Sequence, residues 1–130
     1  PTSIYMIDNA STDDSVAYVK QFFPDITIIS HTDNGGYSYG YNRAMSQIKQ
    51  ELVLLLNNDV QVTPGWLEPL LEVFNREKDT FAVQSKILSF NQKDTFDYAG
   101  ASGGFLDVLA YPYCRGRIFE TVEKDQGQYN

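Results

Sequence analysis

Short apolar runs alternate along this chain with segments whose apolar residues recur every three or four positions. Residues 4–7, IYMI, form the first run and stop at Asp8-Asn9-Ala10-Ser11-Thr12-Asp13-Asp14. Ser11 with Asp14 three residues on resembles a capping box. The segment that follows carries Val16, Val19, Phe22 and Phe23 at helical spacing and must end before Pro24. Residues 26–29, ITII, are β-branched and predict a second strand. A glycine-rich loop, TDNGGYSYGYN, leads into a helix marked by Tyr41, Ala44, Met45 and Ile48. Residues 52–56, LVLLL, are unbroken apolar, as in a parallel strand covered on both faces. Thr63 is suited to cap a helix with Pro64 at its first position, and Trp66, Leu67, Leu70, Leu71 and Phe74 form its apolar stripe. Pro69 inside that stripe predicts a kink or a later start. Residues 81–88 predict a fourth strand, and beyond residue 90 aromatics mix with glycine in loops or short strands. Strands alternating with helices in this way predict an α/β architecture with a mostly parallel sheet.

At 130 residues the chain fits one domain and can bury roughly two thirds of its unfolded surface. Its net charge of −7, without a run of like charges, argues against non-specific nucleic-acid binding. A nucleotide ligand stays compatible, because a divalent cation can supply the positive charge. Cys114 is the single cysteine, which excludes an internal disulfide and suits a reducing compartment. His31 is the single histidine, so a histidine-rich metal centre or a Ser-His-Asp triad would rest on it alone. No stretch approaches the length of an apolar membrane span, and no signal-peptide pattern opens the sequence.

Three polar clusters follow apolar runs: IDNASTD, DNGGYSYGYN and NNDV. In a parallel sheet the carboxyl ends of the strands share one edge, so the three clusters would line one crevice. Each has a plain structural alternative. Asp8, Asn9 and Ser11 could simply form a turn and cap, Asn42 could start a helix, and Asn57-Asn58-Asp59 could be a polar turn leaving the core. The loop lacks G-K-[ST] and G-x-G-x-x-G, so neither a Walker phosphate loop nor a dinucleotide fingerprint is present.

In order and spacing, IDNASTDDS, DNGGYSYGYNRA and LLLNNDV resemble the family-two inverting GT-A glycosyltransferases, in particular the bacterial rhamnosyltransferase-like enzymes. The resemblance extends over nearly all of the chain. It implies a partial GT-A fold, a βαβ sandwich spanning residues 1–130, that lacks the usual first strand and is truncated at both ends. It implies that Asp59 binds Mg²⁺ or Mn²⁺ at the donor pyrophosphate, with Asn57 where a full DXD motif has an acid. It places Asp8 and Asn9 at the nucleoside, and Gly35, Gly36, Asn42 and Asn58 along the rest of the donor nucleotide. The donor would be a UDP- or dTDP-linked sugar and the acceptor a glycan or lipid-linked glycan. The setting would be bacterial surface polysaccharide synthesis in the cytoplasm, at the inner face of the membrane. Inverting transfer needs a carboxylate to take the acceptor proton. The family supplies it from an acidic motif that would lie beyond Asn130, so this segment alone is expected not to turn over. The absent first strand would leave exposed strand edges, which invite self-association.

In the late segment, Asp97, Asp107, Arg115 and Arg117 are further candidates; an arginine there could bind donor phosphate or an anionic acceptor, although CRGR reads first as a solvated basic turn. Tyr98, Phe105, Tyr111 and Tyr113 could stack on sugar faces or simply pack. The competing function is a non-catalytic GT-A-like module that binds nucleotide or carbohydrate or serves in assembly. A nucleotidyltransferase is disfavoured, since its phosphate loop after a first strand is not seen.

Overall fold

The computed structural model describes residues 2–98 and 100–129, which divide into two compact units, Pro1–Leu55 and Leu56–Asn130. In the first, strand β1 (Tyr5–Asp8) pairs in parallel with β2 (Thr27–Ser30), in the register Tyr5↔Thr27 to Asp8↔Ser30. Helix α1 (Ser15–Phe22) makes the crossover, and α2 (Tyr37–Met45) follows β2. This is the βαβ unit that the apolar pattern predicts. Its core is small: Ile29, Ala44 and Gly40 are buried, while Val16 and Val19 of α1 are half-buried. Phe22 and Phe23 close α1 before Pro24 but stay largely exposed.

The second unit contains α3 (Glu68–Arg76) and, after residue 100, four short strands arranged as two antiparallel hairpins. One joins β3 (Gly104–Leu106) to β4 (Pro112–Cys114), and the other joins β5 (Arg117–Ile118) to β6 (Thr121–Val122). Helix α3 has the later start that Pro69 required. It begins at Glu68 and places that proline in its first turn, where a missing N–H costs nothing. The expected Thr63–Pro64 start is therefore corrected by about one turn. Trp66, Leu67, Leu70 and Phe74 are half-buried as the stripe predicts, whereas Leu71 faces solvent. Phe96, 1% exposed, is the large side chain at the centre of this unit. Gly116, at φ 91°, lies so close that an added Cβ would sit 3.0 Å from the Phe96 Cβ.

Two expected strands are not laddered. Residues 52–56 form no strand among the described residues, and their leucines remain 45–50% exposed. Residues 81–88 form no strand among the described residues and contribute a single antiparallel bridge, from Leu88 to Phe96. An apolar run becomes a strand only when a neighbour takes up its backbone hydrogen bonds. Leucine, which dominates 52–56, also lacks the β-branching that favours the pleated backbone in 26–29. The mostly parallel sheet is thus reduced, among the described residues, to the β1–β2 pair. Among the described residues, β1 has β2 on one side and no strand on the other.

Candidate functional site

The first polar cluster is organised by the end of β1. Asp8 is 5% exposed. Its carbonyl accepts the His31 N–H at 2.8 Å, extending the parallel ladder, and its carboxylate Oδ1 accepts the Ser11 N–H at 3.0 Å. The turn back to Ser11 passes through Ala10 at φ 61°, a left-handed backbone that costs an L-residue about 1 kcal/mol. Ser11 therefore belongs to the Asp8 turn. The expected capping box is not formed: α1 is preceded by Asp14, which makes no side-chain cap bond. Instead Asp13 Oδ1 accepts the Ser15 N–H at 3.0 Å, and hydrogen bonding from Ser15 holds the Asp13 carboxyl below its ordinary range.

Asn9 ties three segments together. Its Nδ2 donates to the Gly36 carbonyl at 3.2 Å, and its Oδ1 lies 3.0 Å from His31 Nδ1. An amide oxygen only accepts, so with the amide oriented in this way Nδ1 carries the proton of this bond. His31 is 6% exposed, and Nε2 has no hydrogen-bond partner among the described residues. In sequence this histidine stands only as the lone residue on which a metal centre or a Ser-His-Asp triad would rest. The signal that could have found it is register: Asp8 pairs with Ser30, so Asn9 and His31 are the next residues on adjacent parallel strands.

The glycine loop supplies the third side. Gly36 adopts φ 84° and ψ −179°, a region open essentially to glycine alone, and its N–H donates to Asn34 Oδ1 at 3.0 Å. Its carbonyl accepts the Gly40 N–H at 3.0 Å as well as the Asn9 amide. Gly40 is buried against Asn9, and a Cβ there would overlap the Asn9 side chain. A Cβ on Gly35 would instead meet the Tyr39 ring. Asn42 is not at the helix start: α2 begins at Tyr37, one residue after Gly36, which puts the exposed Asn42 in the body of the helix. Asp8, Asn9, Gly36 and Gly40 are thus brought together with His31.

Asn58 and Asp59 belong to the second unit and form an exposed turn. The Asp59 carboxylate has no hydrogen bond or ion pair among the described residues. Nor do those residues contain a group of three or more His, Cys, Asp or Glu that could hold a metal. A lone unpaired carboxylate fits a cation that is held mainly by phosphates and water, not one caged by protein.

The late candidates separate. Asp107 Oδ1 accepts the N–H groups of Leu109 and Tyr111 at 2.8 and 2.9 Å, so it builds the β3–β4 turn. Arg117 pairs with Glu120 at 3.1 Å and donates to the Phe119 carbonyl, which is the solvated basic turn expected of CRGR. Arg115 behaves differently: its guanidinium lies over the rings of Phe105 and Tyr129, 4.4 and 5.1 Å from their centroids. Phe105 itself stacks on Tyr113 at 5.3 Å, and Cys114 is a free, exposed thiol. Among the described residues, no helix is long and apolar enough to cross a membrane.

Comparison with known proteins points in one direction. The chain is 29% identical over 87 residues to N-acetylglucosaminyl-diphospho-decaprenol L-rhamnosyltransferase of Mycobacterium tuberculosis, covering 58% of this chain and 28% of that protein. It is 28% identical over 123 residues to polypeptide N-acetylgalactosaminyltransferase 13 of Homo sapiens, covering 85% of this chain and 22% of that protein. The chain therefore spans about a quarter of the length of these relatives. No solved structure matches it. Residues 1–124 match the family described as Glycosyl transferase family 2, a family that implies the GT-A nucleotide-sugar transferase fold, and the chain belongs to that family.

Proposed function

We propose that this chain is the donor-side part of an inverting, metal-dependent GT-A glycosyltransferase domain that uses a UDP- or dTDP-linked sugar. The observation that carries the reading is the knot of Asp8, Asn9, His31 and Gly36 at the carboxyl ends of β1 and β2, where open α/β sheets bind their ligands. Asp8 and Asn9 serve the nucleoside: a buried carboxylate and a fixed amide suit the hydroxyls and N–H groups of a ribose and base. Gly35 and Gly36 let the backbone come close to the donor, and Asn42 and Asn58 contribute polar contacts along it. Asp59 would hold Mg²⁺ or Mn²⁺, which neutralises charge on the departing nucleoside diphosphate. The general base is assigned to no residue of this segment.

The fold of this reading is a partial GT-A domain over residues 1–130. The free side of β1 supports edge pairing with a second chain. The likeness to the mycobacterial rhamnosyltransferase supports a lipid-linked glycan as acceptor and a role in bacterial surface polysaccharide synthesis, at the cytoplasmic face of the membrane.

The test is thermal stability of the chain with UDP, dTDP and GDP, each with and without Mn²⁺, beside Asp59→Ala. The reading expects a metal-dependent rise in Tm with UDP or dTDP that the substitution abolishes. A cooperatively melting sample that no nucleotide stabilises would refute donor binding by these motifs.

A further inference from the structure

A cavity of about 400 Å³ opens in the second unit beside Arg115. That volume lies within the range of small-molecule sites. Three charged side chains line it, and two of them are already compensated. Glu77 pairs with Arg76 at 2.9 Å, and Lys86 pairs with Asp125 at 2.9 Å. Arg115 has no carboxylate partner among the described residues, although the chain carries 17 acidic residues against 10 basic ones. The other three arginines, Arg43, Arg76 and Arg117, each hold one.

The Arg115 backbone is also held in place: its main-chain N–H donates to the Gly103 carbonyl at 2.9 Å, and its main-chain carbonyl accepts the Gly100 N–H at 2.9 Å. The Tyr129 ring beside the guanidinium is anchored by its hydroxyl, which donates to Glu123 at 2.7 Å. With its Cζ 4.4 and 5.1 Å from the Phe105 and Tyr129 ring centroids, the guanidinium is flanked by aromatic rings, and among the described residues no acid takes up its planar fork of N–H donors. A half-buried fork of this kind, without a protein anion, is matched by a ligand oxyanion, which it can meet with two parallel hydrogen bonds.

We propose that this cavity is an oxyanion-binding site, in which Arg115 grips the phosphate or carboxylate of a small, monosaccharide-sized ligand. Gln84 and Ser102 also line the cavity; Gln84 Nε2 donates to the Gly100 carbonyl at 2.8 Å, which leaves its Oε1 and the Ser102 hydroxyl to hydrogen-bond the remainder of that ligand. Neither Asp59 nor any residue of the first polar cluster lines the cavity, so anion binding there requires neither the metal nor the donor nucleotide.

Calorimetric titration of the chain in EDTA separates the two sources of the anion, with glucose 1-phosphate, glucuronate and neutral glucose as probes. One or both anions bind saturably, glucose binds at least tenfold more weakly, and Arg115→Gln weakens the anion by about tenfold or more, the scale of a charged hydrogen bond. Arg115→Lys, which keeps the charge but loses the fork, falls between. Because Arg115→Gln also removes two ring contacts, Ala82→Phe provides a second variant that fills the cavity without touching the arginine; it too abolishes binding. Absence of saturable binding by either anion overturns the proposal. So does unchanged affinity in a folded Arg115→Gln or Ala82→Phe chain, or glucose binding as tightly as its phosphate.

Discussion

Replacing Gly40 by alanine sets helix propensity against the side chain of Asn9. In the interior of α2, alanine is worth about 1 kcal/mol over glycine. The new Cβ, however, would overlap the Asn9 amide, which must then swing away. Two hydrogen bonds are lost when it does: Asn9 Nδ2 to the Gly36 carbonyl, and His31 Nδ1 to Asn9 Oδ1. Gly36 O keeps the Gly40 N–H, so the first loss is small, about 0.5–1 kcal/mol. The second strands a buried ring whose other nitrogen is already unpartnered, at about 1–3 kcal/mol. Subtracting the propensity gain of about 1 kcal/mol leaves a net destabilisation of about 0.5–3 kcal/mol, before any cost of overpacking. Native-state hydrogen exchange reads it directly at the ladder amides of Thr27 and His31, which donate to Ile4 and Asp8. The double variant separates the terms. In an Asn9→Ala background the obstacle is gone, and Gly40→Ala should turn stabilising by up to about 1 kcal/mol. A neutral or stabilising Gly40→Ala in the otherwise native chain would refute the argument, because it would mean that the Asn9 amide is not held where these bonds place it.

Two further expectations concern the second unit. Phe96→Ala removes its large, fully buried side chain and should cost about 3–5 kcal/mol, seen as a lower urea midpoint in the fluorescence of Trp66; a loss below about 1 kcal/mol would deny Phe96 its central place. Hydrogen bonds from Lys124 and Lys86 hold the Asp94 and Asp125 carboxyls below their ordinary value of 3.8. Groups depressed in the folded state stabilise it above that value and lose the contribution as pH falls through the folded pKa. Stability of this unit should therefore drop as pH is lowered below about 4. Asp94→Asn with Asp125→Asn should flatten that acid limb, and an unchanged pH profile would count against both pairs.

Most of the local structure could be read from residue order. The IYMI and ITII runs, with a helical stripe between them and Pro24 as the stop, define β1, α1 and β2, because periodicity and proline act within one turn or one strand. Pro69 likewise announced the late start of α3. The three polar clusters and their spacing were also sufficient to suggest the glycosyltransferase family. Pairing is different, because a strand is a property of two segments. Residues 52–56 and 81–88 carry apolar patterns as clear as that of β1, yet neither is laddered, and no feature within either run says whether a neighbour will meet its backbone. The same limit governs the site. Asp8, Asn9 and the glycines stand out as residue types, but the bond between Asn9 and His31 exists only because parallel register sets residue 9 beside residue 31. Arg115 reads in sequence as one half of a basic turn shared with Arg117. Only the fold stacks one arginine on Phe105 and Tyr129 while leaving the other paired with Glu120 in solvent. Sequence acts through propensities that reach a few residues along the chain, whereas partners tens of residues apart are chosen by packing.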